Sequence, residues 1–460
     1  MTLQNTSTWR IRPFATDRFD SRYVMWVCAL FAVLILGRTI NNAMLYILVG
    51  VAALVFAASN PAHCAVFLFF LFPVFSIMKP YVGSMSYYTV FYFLTVAKMV
   101  IAHRKINLRL FVLVALFVAY RLTFTGTQDI TTLITMAAGI LLLYYLRQEN
   151  ISLKTVTLAF AAGIFLASCL TLLRRNLPIV NTFILDAVIK VEQGVYANRF
   201  SGLTGNPNYF TLDVIVVQAA LIVLMHREQK QTLYLICFGI LTVLGFMSVS
   251  QSYLLAWILL IFLWFLLSLQ KGISGVVRFL FIGVLMLAVM AVFAFDYIEL
   301  FVFRITKGMQ GGASDFTTGR TDVWVDYLEV LMSDVRMLIF GVGNNAFESI
   351  KKGAHNTYLE CIFHLGIVGS TIFLSTVKVA MGKIITSRIM WVPVLILLFR
   401  MLAIGIAFNA TLLFCVNWQC LRIDAKKKGQ MHEQRNITRK SSEPKNTGFP
   451  FIGEGNGFCF

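Results

Sequence analysis

Apolar runs of about 20 residues recur along this chain, and short polar stretches separate them. When such a run is helical, its length matches the hydrocarbon thickness of a bilayer. The pattern predicts membrane spans at about 23–38, 43–59, 62–78, 87–102, 109–121, 130–146, 155–173, 210–225, 232–247, 252–269, 277–295 and 356–379. The stretch 389–420 adds either one long span or a tight hairpin. We therefore predict an all-α, polytopic integral membrane bundle of about 12–14 transmembrane helices.

Composition supports this class, because 58% of the 460 residues are hydrophobic and only 13% are charged. A water-soluble protein does not carry such a surplus of apolar residues. The first 22 residues are polar, contain acids and lack a small-residue cleavage site, so we expect no removable signal peptide. The predicted organisation is an N-terminal cytoplasmic segment (1–22), an N-terminal bundle (23–173), an external loop (174–209), central helices (210–295), a large external loop (296–354), C-terminal helices (355–421) and a basic tail (422–460).

Lys and Arg in the short loops predict the orientation. If the N-terminus is cytoplasmic, four basic loops all lie inside: 103–109, 147–154, 226–231 and 270–278. The basic tail at 422–460 is expected on the same face, which favours a hairpin at 389–420. The composition of this tail is typical of a disordered extension. The formal net charge of +18 is dispersed over these loops and the tail. Attraction to anionic lipid therefore explains this charge better than binding of nucleic acid.

The two long polar segments, 174–209 and 296–354, face outward in this topology and are expected to carry the function. The second contains more acids than bases, so it escapes the basic bias of the inner loops. Its residues 321–331 predict a helix, because four apolar side chains share one face at helical spacing: Val323, Tyr327, Leu328 and Leu331. Gly311-Gly312 before this helix and Gly341-Val342-Gly343 after it indicate turns. We expect the helix to lie along the membrane surface and to cap a cavity.

Several classes of protein are poorly supported by the motifs. The eight cysteines are scattered, mostly within spans, and no Cys/His spacing predicts a disulfide framework or a metal site. The chain has no phosphate-binding Walker loop, no dinucleotide fingerprint and no serine nucleophile elbow. The chain therefore has no nucleotide-binding motif that could drive a pump.

A set of positive groups beside a histidine remains on the external face. Arg199 begins a turn that contains two glycines and Asn206-Pro207-Asn208, where the guanidinium and exposed backbone donors could hold a phosphate. Arg320 stands at the start of the loop helix, where the helix dipole favours anions. His355 lies at the outer end of the next span. Transfer of a sugar from a lipid diphosphate would need such a set, although each arginine alone could be an interface anchor or a solvated residue.

Six further residues are candidates for substrate binding: Asn206, Asn208, Asn356, Tyr358, Glu360 and Trp324. The asparagines could instead satisfy backbone groups in turns and helix caps. Glu360 is costly inside an apolar span unless it has a partner, so it orients His355, binds sugar hydroxyls or pairs with a basic neighbour. Trp324 either stacks on a sugar ring or packs against helices or lipid.

These motifs, taken in order, resemble the O-antigen polymerase and ligase superfamily. The resemblance rests on Arg-x-x-Gly…Asn-Pro-Asn from Arg199, Gly-Arg…Trp at 319–324, Phe340-Gly341-Val342-Gly343, and His355-Asn356-x-Tyr358-Leu359…Gly366-x-x-Gly369. It covers roughly residues 190–380, whereas the N-terminal spans resemble the family only in hydropathy. One departure is Ser248-Val249-Ser250-Gln251-Ser252, where relatives often have Ser-Arg. Gln251 has no charge, so a third phosphate-binding arginine is in doubt, and only location suggests Arg174 or Arg175 instead.

The resemblance implies an inverting, metal-independent membrane glycosyltransferase without a cofactor, in the bacterial cytoplasmic (inner) membrane with its site facing the periplasm. Arg199 and Arg320 would bind the diphosphate of an undecaprenyl-linked glycan, and His355 would activate or orient the acceptor hydroxyl. The acceptor is another repeat unit in a polymerase and lipid A core in a ligase. We favour a polymerase, and a chain-length-regulating partner stays open. A flippase would use the same arginines, but it predicts internal repeats and charges in the N-terminal spans, of which there is little sign.

Overall fold

The computed structural model describes residues 20–103, 107–125, 130–146, 148–149, 151–184, 187–192, 195–228, 231–293, 295–310, 319–343, 350, 353–381, 389 and 391–402. The helices in these ranges are α1 (Ser21–Ile40), α2 (Met44–Ala58), α3 (Pro61–Leu71), α4 (Tyr87–His103), α5 (Leu108–Thr125), α6 (Ile130–Leu146), α7 (Leu153–Leu172), α8 (Pro178–Phe183), α9 (Pro207–Arg227), α10 (Thr232–Met247), α11 (Gln251–Leu269), α12 (Ile273–Phe293), α13 (Phe295–Gln310), α14 (Arg320–Ser333), α15 (Val335–Phe340), α16 (Thr357–Met381) and α17 (Trp391–Met401). Two 3-10 helices cover Phe72–Met78 and Arg174–Asn176.

The predicted all-α membrane class is confirmed. Within the described ranges, seven helical segments are long and apolar enough to cross a membrane: Ser21–Ile40, Pro61–Met78, Leu153–Leu172, Pro207–Arg227, Gln251–Leu269, Ile273–Phe293 and Thr357–Met381. Shorter apolar helices occupy Met44–Ala58, Leu133–Leu146, Thr232–Met247 and Trp391–Met401. The predicted tail at 422–460, the turn at Gly311-Gly312 and the chain after residue 402 lie outside the described residues, so the choice between a long span and a hairpin stays open.

Helix α9 forms the centre of the bundle, and it packs against α7, α10, α11 and α17. Its start is well defined, because the Asn206 side chain accepts a hydrogen bond from the Asn208 N–H and Pro207 occupies the first turn. Nearly every side chain along it is buried. A helix surrounded on all faces needs no polar stripe, which explains its continuous apolar sequence.

The first long polar segment, 174–209, contains a β-hairpin that was not predicted from the sequence. Strands β1 (Ala187–Glu192) and β2 (Val195–Arg199) pair antiparallel, with Ala187 opposite Arg199. The hairpin ends on Arg199, so it determines where this candidate residue enters the bundle.

The helix predicted at 321–331, in the second long polar segment, is confirmed as α14. Its Tyr327 and Leu331 are buried against Ala354 and Phe363, and the rings of Tyr327 and Phe363 lie 4.2 Å apart between centroids. Leu328, which was predicted to share this face, is instead half exposed. The helix therefore packs on the N-terminal part of α16, next to His355.

The two glycine motifs of the sequence meet in space. A side chain at Gly341 would come within 2.6 Å of the His364 carbonyl oxygen, and one at Gly366 within 2.4 Å of the Gly341 nitrogen. Gly366 also interrupts α16 with a non-helical backbone (φ 61°, ψ −175°). The Tyr120 hydroxyl lies 2.8 Å from the Phe340 carbonyl and 2.7 Å from the Leu365 carbonyl. Only glycine allows this approach of two backbones, which positions α15 against α16.

Candidate active site

The turn between α10 and α11 is the meeting point of two arginines. The Ser248 carbonyl accepts a hydrogen bond from Arg199 Nε at 3.0 Å. The Val249 carbonyl accepts from Arg199 Nη2 at 3.4 Å and from Arg304 Nη1 at 2.6 Å. Val249 is fully buried and has a positive φ of 48°, which is unfavourable for a β-branched residue. The surrounding structure thus maintains a strained turn that presents its carbonyl groups to both guanidinium groups.

The irregular segment after Arg199 is attached firmly to the bundle. The Phe200 N–H donates to the Met247 carbonyl at 3.1 Å, and the Ser76 hydroxyl donates to the Leu203 carbonyl at 3.0 Å. Gly202 has a φ of 55°, and a side chain there would contact the Phe210 ring at 2.7 Å. These contacts explain the Arg-x-x-Gly spacing, since Gly202 turns the chain back toward α9.

Three arginines share this environment. Burial, together with the charges of Arg304 and Arg320, lowers the pKa of Arg199 to about 9. Burial also lowers the pKa of Arg304, with a second contribution from Arg320, and burial lowers the pKa of Arg320. Within the described part of the chain, neither Arg199 nor Arg304 has a carboxylate partner. Positive charges that repel one another in a partly dry site favour a multiply charged anion.

His355 precedes α16 in an unusual backbone conformation, with a φ of 51°. Its N–H donates to Glu360 Oε1 at 3.0 Å, and the carbonyl of the preceding Ala354 accepts from Trp324 Nε1 at 2.7 Å. Partial burial and the positive charge of Arg320 lower the pKa of His355, although its side chain still reaches solvent. The imidazole is therefore neutral at pH 7 and able to accept a proton.

Glu360 and Trp324 both hydrogen-bond to the peptide group that joins Ala354 to His355, which favours orientation of the histidine among the open alternatives for Glu360. For Trp324, packing is supported as well, since the helix that carries it lies against α16. Binding of substrate by Glu360 or Trp324 stays a prediction.

The candidate asparagines satisfy backbone and hydroxyl groups. Asn356 Oδ1 accepts from the N–H groups of Tyr358 at 3.1 Å and Leu359 at 3.2 Å, which caps α16. Asn208 Oδ1 accepts from the Ser250 hydroxyl at 2.7 Å and so connects α9 to the strained turn. The Tyr358 hydroxyl donates to the Leu398 carbonyl at 3.1 Å. These contacts support the capping alternative, and contact with sugar stays a prediction.

Arg304 was missed by the sequence reading. The segment Ser248 to Ser252 has no arginine of its own, but α13 packs next to this turn. Arg304 on α13 donates a hydrogen bond to the Val249 carbonyl and so places a third arginine there. The locations suggested for that role were Arg174 and Arg175, which lie on the 3-10 helix Arg174–Asn176, where Arg175 is exposed. Nothing in the local sequence of Arg304 shows the contact, since 55 residues separate it from Val249.

Arg400 on α17 is a second missed residue. It is fully buried, and its Nη1 donates to Ser252 Oγ at 2.7 Å. Its Nη2 donates to the Asn208 carbonyl at 2.8 Å and to Thr211 Oγ1 at 3.0 Å. One guanidinium thus joins the start of α9 to the start of α11. A charged residue inside the apolar run 391–402 was the available signal.

Comparison with known families agrees with the motifs. Residues 236–374 match the family model described as O-antigen ligase. This match supports the resemblance to the O-antigen polymerase and ligase superfamily. The match includes Arg304, Arg320 and His355, while Arg199 and Arg400 lie outside it. No curated protein and no solved structure matches the chain. The family match supports, at a coarse level, an enzyme of surface polysaccharide assembly.

Proposed function

We propose that this protein polymerises oligosaccharide repeat units carried on undecaprenyl diphosphate at the outer face of the cytoplasmic membrane. The observation that carries the proposal is the convergence of Arg199 and Arg304 on one turn, with Arg320 close enough to act on both and on His355. A dianionic diphosphate would supply the negative charge that Arg199 and Arg304 do not receive from any carboxylate of the described residues. A neutral imidazole at the same place suits a hydroxyl acceptor.

In the proposed reaction, the acceptor hydroxyl oxygen attacks the anomeric carbon of the donor sugar from the face opposite the diphosphate. A new C–O bond forms as the bond to the phosphate oxygen breaks, so the configuration inverts. His355 receives the hydroxyl proton, and the diphosphate leaves with the bonding electron pair. The charge that develops on it is stabilised by the arginines, an effect that is typically the largest single contribution to such catalysis.

Arg400 is proposed as a positioning residue in this scheme. It contacts Asn208 and Ser252, and Asn208 in turn holds Ser250 of the strained turn. Its three hydrogen bonds therefore fix the position of the turn between α10 and α11. The Ser248 and Val249 carbonyls of this turn in turn orient Arg199 and Arg304.

An O-antigen ligase is the second candidate, because the family model that matches residues 236–374 carries that description. The donor site would be the same, and lipid A core would be the acceptor. A lipid-linked glycan flippase is a weaker third candidate, since transport gives no role to the neutral His355 beside the arginines.

The glycan ladder of a deletion strain tests the proposal, with complementation by wild type and by Arg199→Ala, Arg320→Ala and His355→Ala at matched membrane abundance. We expect deletion to leave single repeat units on lipid A core and each variant to fail to restore the ladder. Accumulation of long lipid-linked glycan that never reaches the core would replace the polymerase by the ligase. A normal ladder from all three variants would remove the proposed site, whereas a normal ladder from His355→Ala alone would favour the flippase.

A further inference from the structure

The opposite end of the central helices contains a second basic site. Helix α9 runs from the arginine site at Asn208 to His226, and its 21 residues span about 30 Å, the thickness of a bilayer core. At the far end, a cavity of about 210 Å³ opens between the loop after α9 and the loop after α11. Its lining includes His226, Gln231, Lys271 and Arg278. By the basic-loop rule, this end faces the cytoplasm.

The positive charge in this cavity is not neutralised by the described protein. Lys271 Nζ donates to the His226 carbonyl at 3.3 Å, and Arg278 Nη1 donates to Gln231 Oε1 at 3.4 Å. Both acceptors are neutral, and within the described residues neither side chain forms an ion pair. The carboxylate of this loop, Glu228, is engaged elsewhere by Lys154 at 3.5 Å and by the Tyr234 hydroxyl.

The two positive charges in the cavity repel each other, which affects the pKa of the lysine. Burial lowers the pKa of Lys271, and the neighbouring positive charge of Arg278 lowers it further. An anion between the two side chains would remove this repulsion.

Apolar side chains form part of the cavity wall, and exposed apolar side chains continue from it along α12. Trp264 and Phe279 meet edge to face with 5.4 Å between ring centroids. Just outside, Leu280 and Phe281 on α12 are exposed by 57% and 70%. A ligand that fits the basic cavity and the apolar surface of α12 has a negatively charged headgroup, which contacts Lys271 and Arg278, and hydrocarbon chains, which pack along α12.

We propose that this cavity binds the headgroup of an anionic phospholipid of the cytoplasmic leaflet, with the phosphate diester between Lys271 and Arg278 and the acyl chains along α12. Basic pockets between membrane helices on this face are suited to such headgroups. Ser268 and Ser274 also line the cavity and supply hydroxyl groups for a glycerol headgroup. The site is independent of the proposed glycosyl transfer, because it lies at the other end of the helices.

Native mass spectrometry of the delipidated full chain, titrated with phosphatidylglycerol or with phosphatidylcholine, tests this site. We expect phosphatidylglycerol to bind in preference, and Lys271→Gln/Arg278→Gln to weaken its binding about 25-fold, since each basic group near a membrane surface contributes about fivefold. The charge-matched control is Arg22→Gln/Lys378→Gln, which removes two exposed basic residues elsewhere and should leave the affinity unchanged.

Two further measurements separate the remaining explanations. The charge-preserving variant Lys271→Arg/Arg278→Lys should retain binding, which distinguishes loss of charge from misfolding. Inorganic phosphate should not displace the lipid at millimolar concentration, because it lacks acyl chains for α12. Equal binding of phosphatidylcholine, full binding by the double Gln variant, or displacement by inorganic phosphate would each overturn the proposal.

Discussion

The two ends of α9, α10 and α11 are both basic, but they hold their charges differently. At the turn end, Arg199 and Arg304 are fixed by backbone carbonyls at distances down to 2.6 Å. At the cavity end, Lys271 and Arg278 make single contacts of 3.3 Å and 3.4 Å beside exposed apolar surface. Rigid positioning is what stabilisation of a transition state needs, whereas a loose pair is sufficient for a lipid headgroup.

The comparison shows that the number of charges alone does not identify which end of the bundle contains the candidate active site. The positive charge of the sequence is higher in the four short basic loops and the tail than in segments 174–209 and 296–354. The arginines of the candidate site differ because buried carbonyl groups, a strained turn and a neutral histidine surround them. Three predictions test this contrast, from the largest expected effect to the smallest.

Arg304→Gln should reduce glycosyl transfer by about 10²–10³-fold, which is the usual cost of removing one group that stabilises developing charge. The measurement is the initial rate with a lipid diphosphate donor in membranes of matched protein content. Arg336→Gln is the matched control, because Arg336 is exposed on α15 in the same loop. Equal rates for wild type and Arg304→Gln would show that the arginines at the turn between α10 and α11 do not take part in glycosyl transfer.

Arg400→Lys should lower kcat/KM about tenfold, mainly through a higher KM for the donor, because an ammonium group cannot reproduce the three directed bonds of the guanidinium. Arg38→Lys replaces another buried arginine, on α1, and should leave the donor KM unchanged. If both variants change kcat and KM alike, Arg400 contributes only to stability and the proposed positioning role is wrong.

The pH dependence should show the smallest effect. Since burial and Arg320 lower the pKa of His355, the imidazole stays neutral on mild acidification. As the pH is lowered, the rate should stay constant through the ordinary pKa range of histidine and fall only at lower pH. It should reach about half of its maximum at the lowered pKa of His355. Initial rates from pH 8 to pH 5 measure this, and the residual rate of His355→Ala should lack the acidic fall. A decline that begins above the ordinary range would mean that His355 is protonated more readily than its surroundings indicate.

Much of the fold was predictable because lipid imposes a simple rule on the sequence. Apolar length alone located α1 and α12, and helical spacing located α14, since neither depends on a distant partner. The β-hairpin and the break at Gly366 were not predicted, because their backbone follows from contacts made across the bundle. The glycines themselves were visible, but only the approach of Gly341 to Gly366 explains them.

The sequence by itself determined the membrane class and the ordered motif around Arg199, Arg320 and His355, because these depend on composition and local spacing. Only the tertiary structure brought Arg304 to Val249 and Arg400 to Asn208, across separations of 55 and 192 residues. A hydrogen bond between distant segments leaves no periodic trace in either one. The arginines that complete the candidate site thus became visible when the helices were packed.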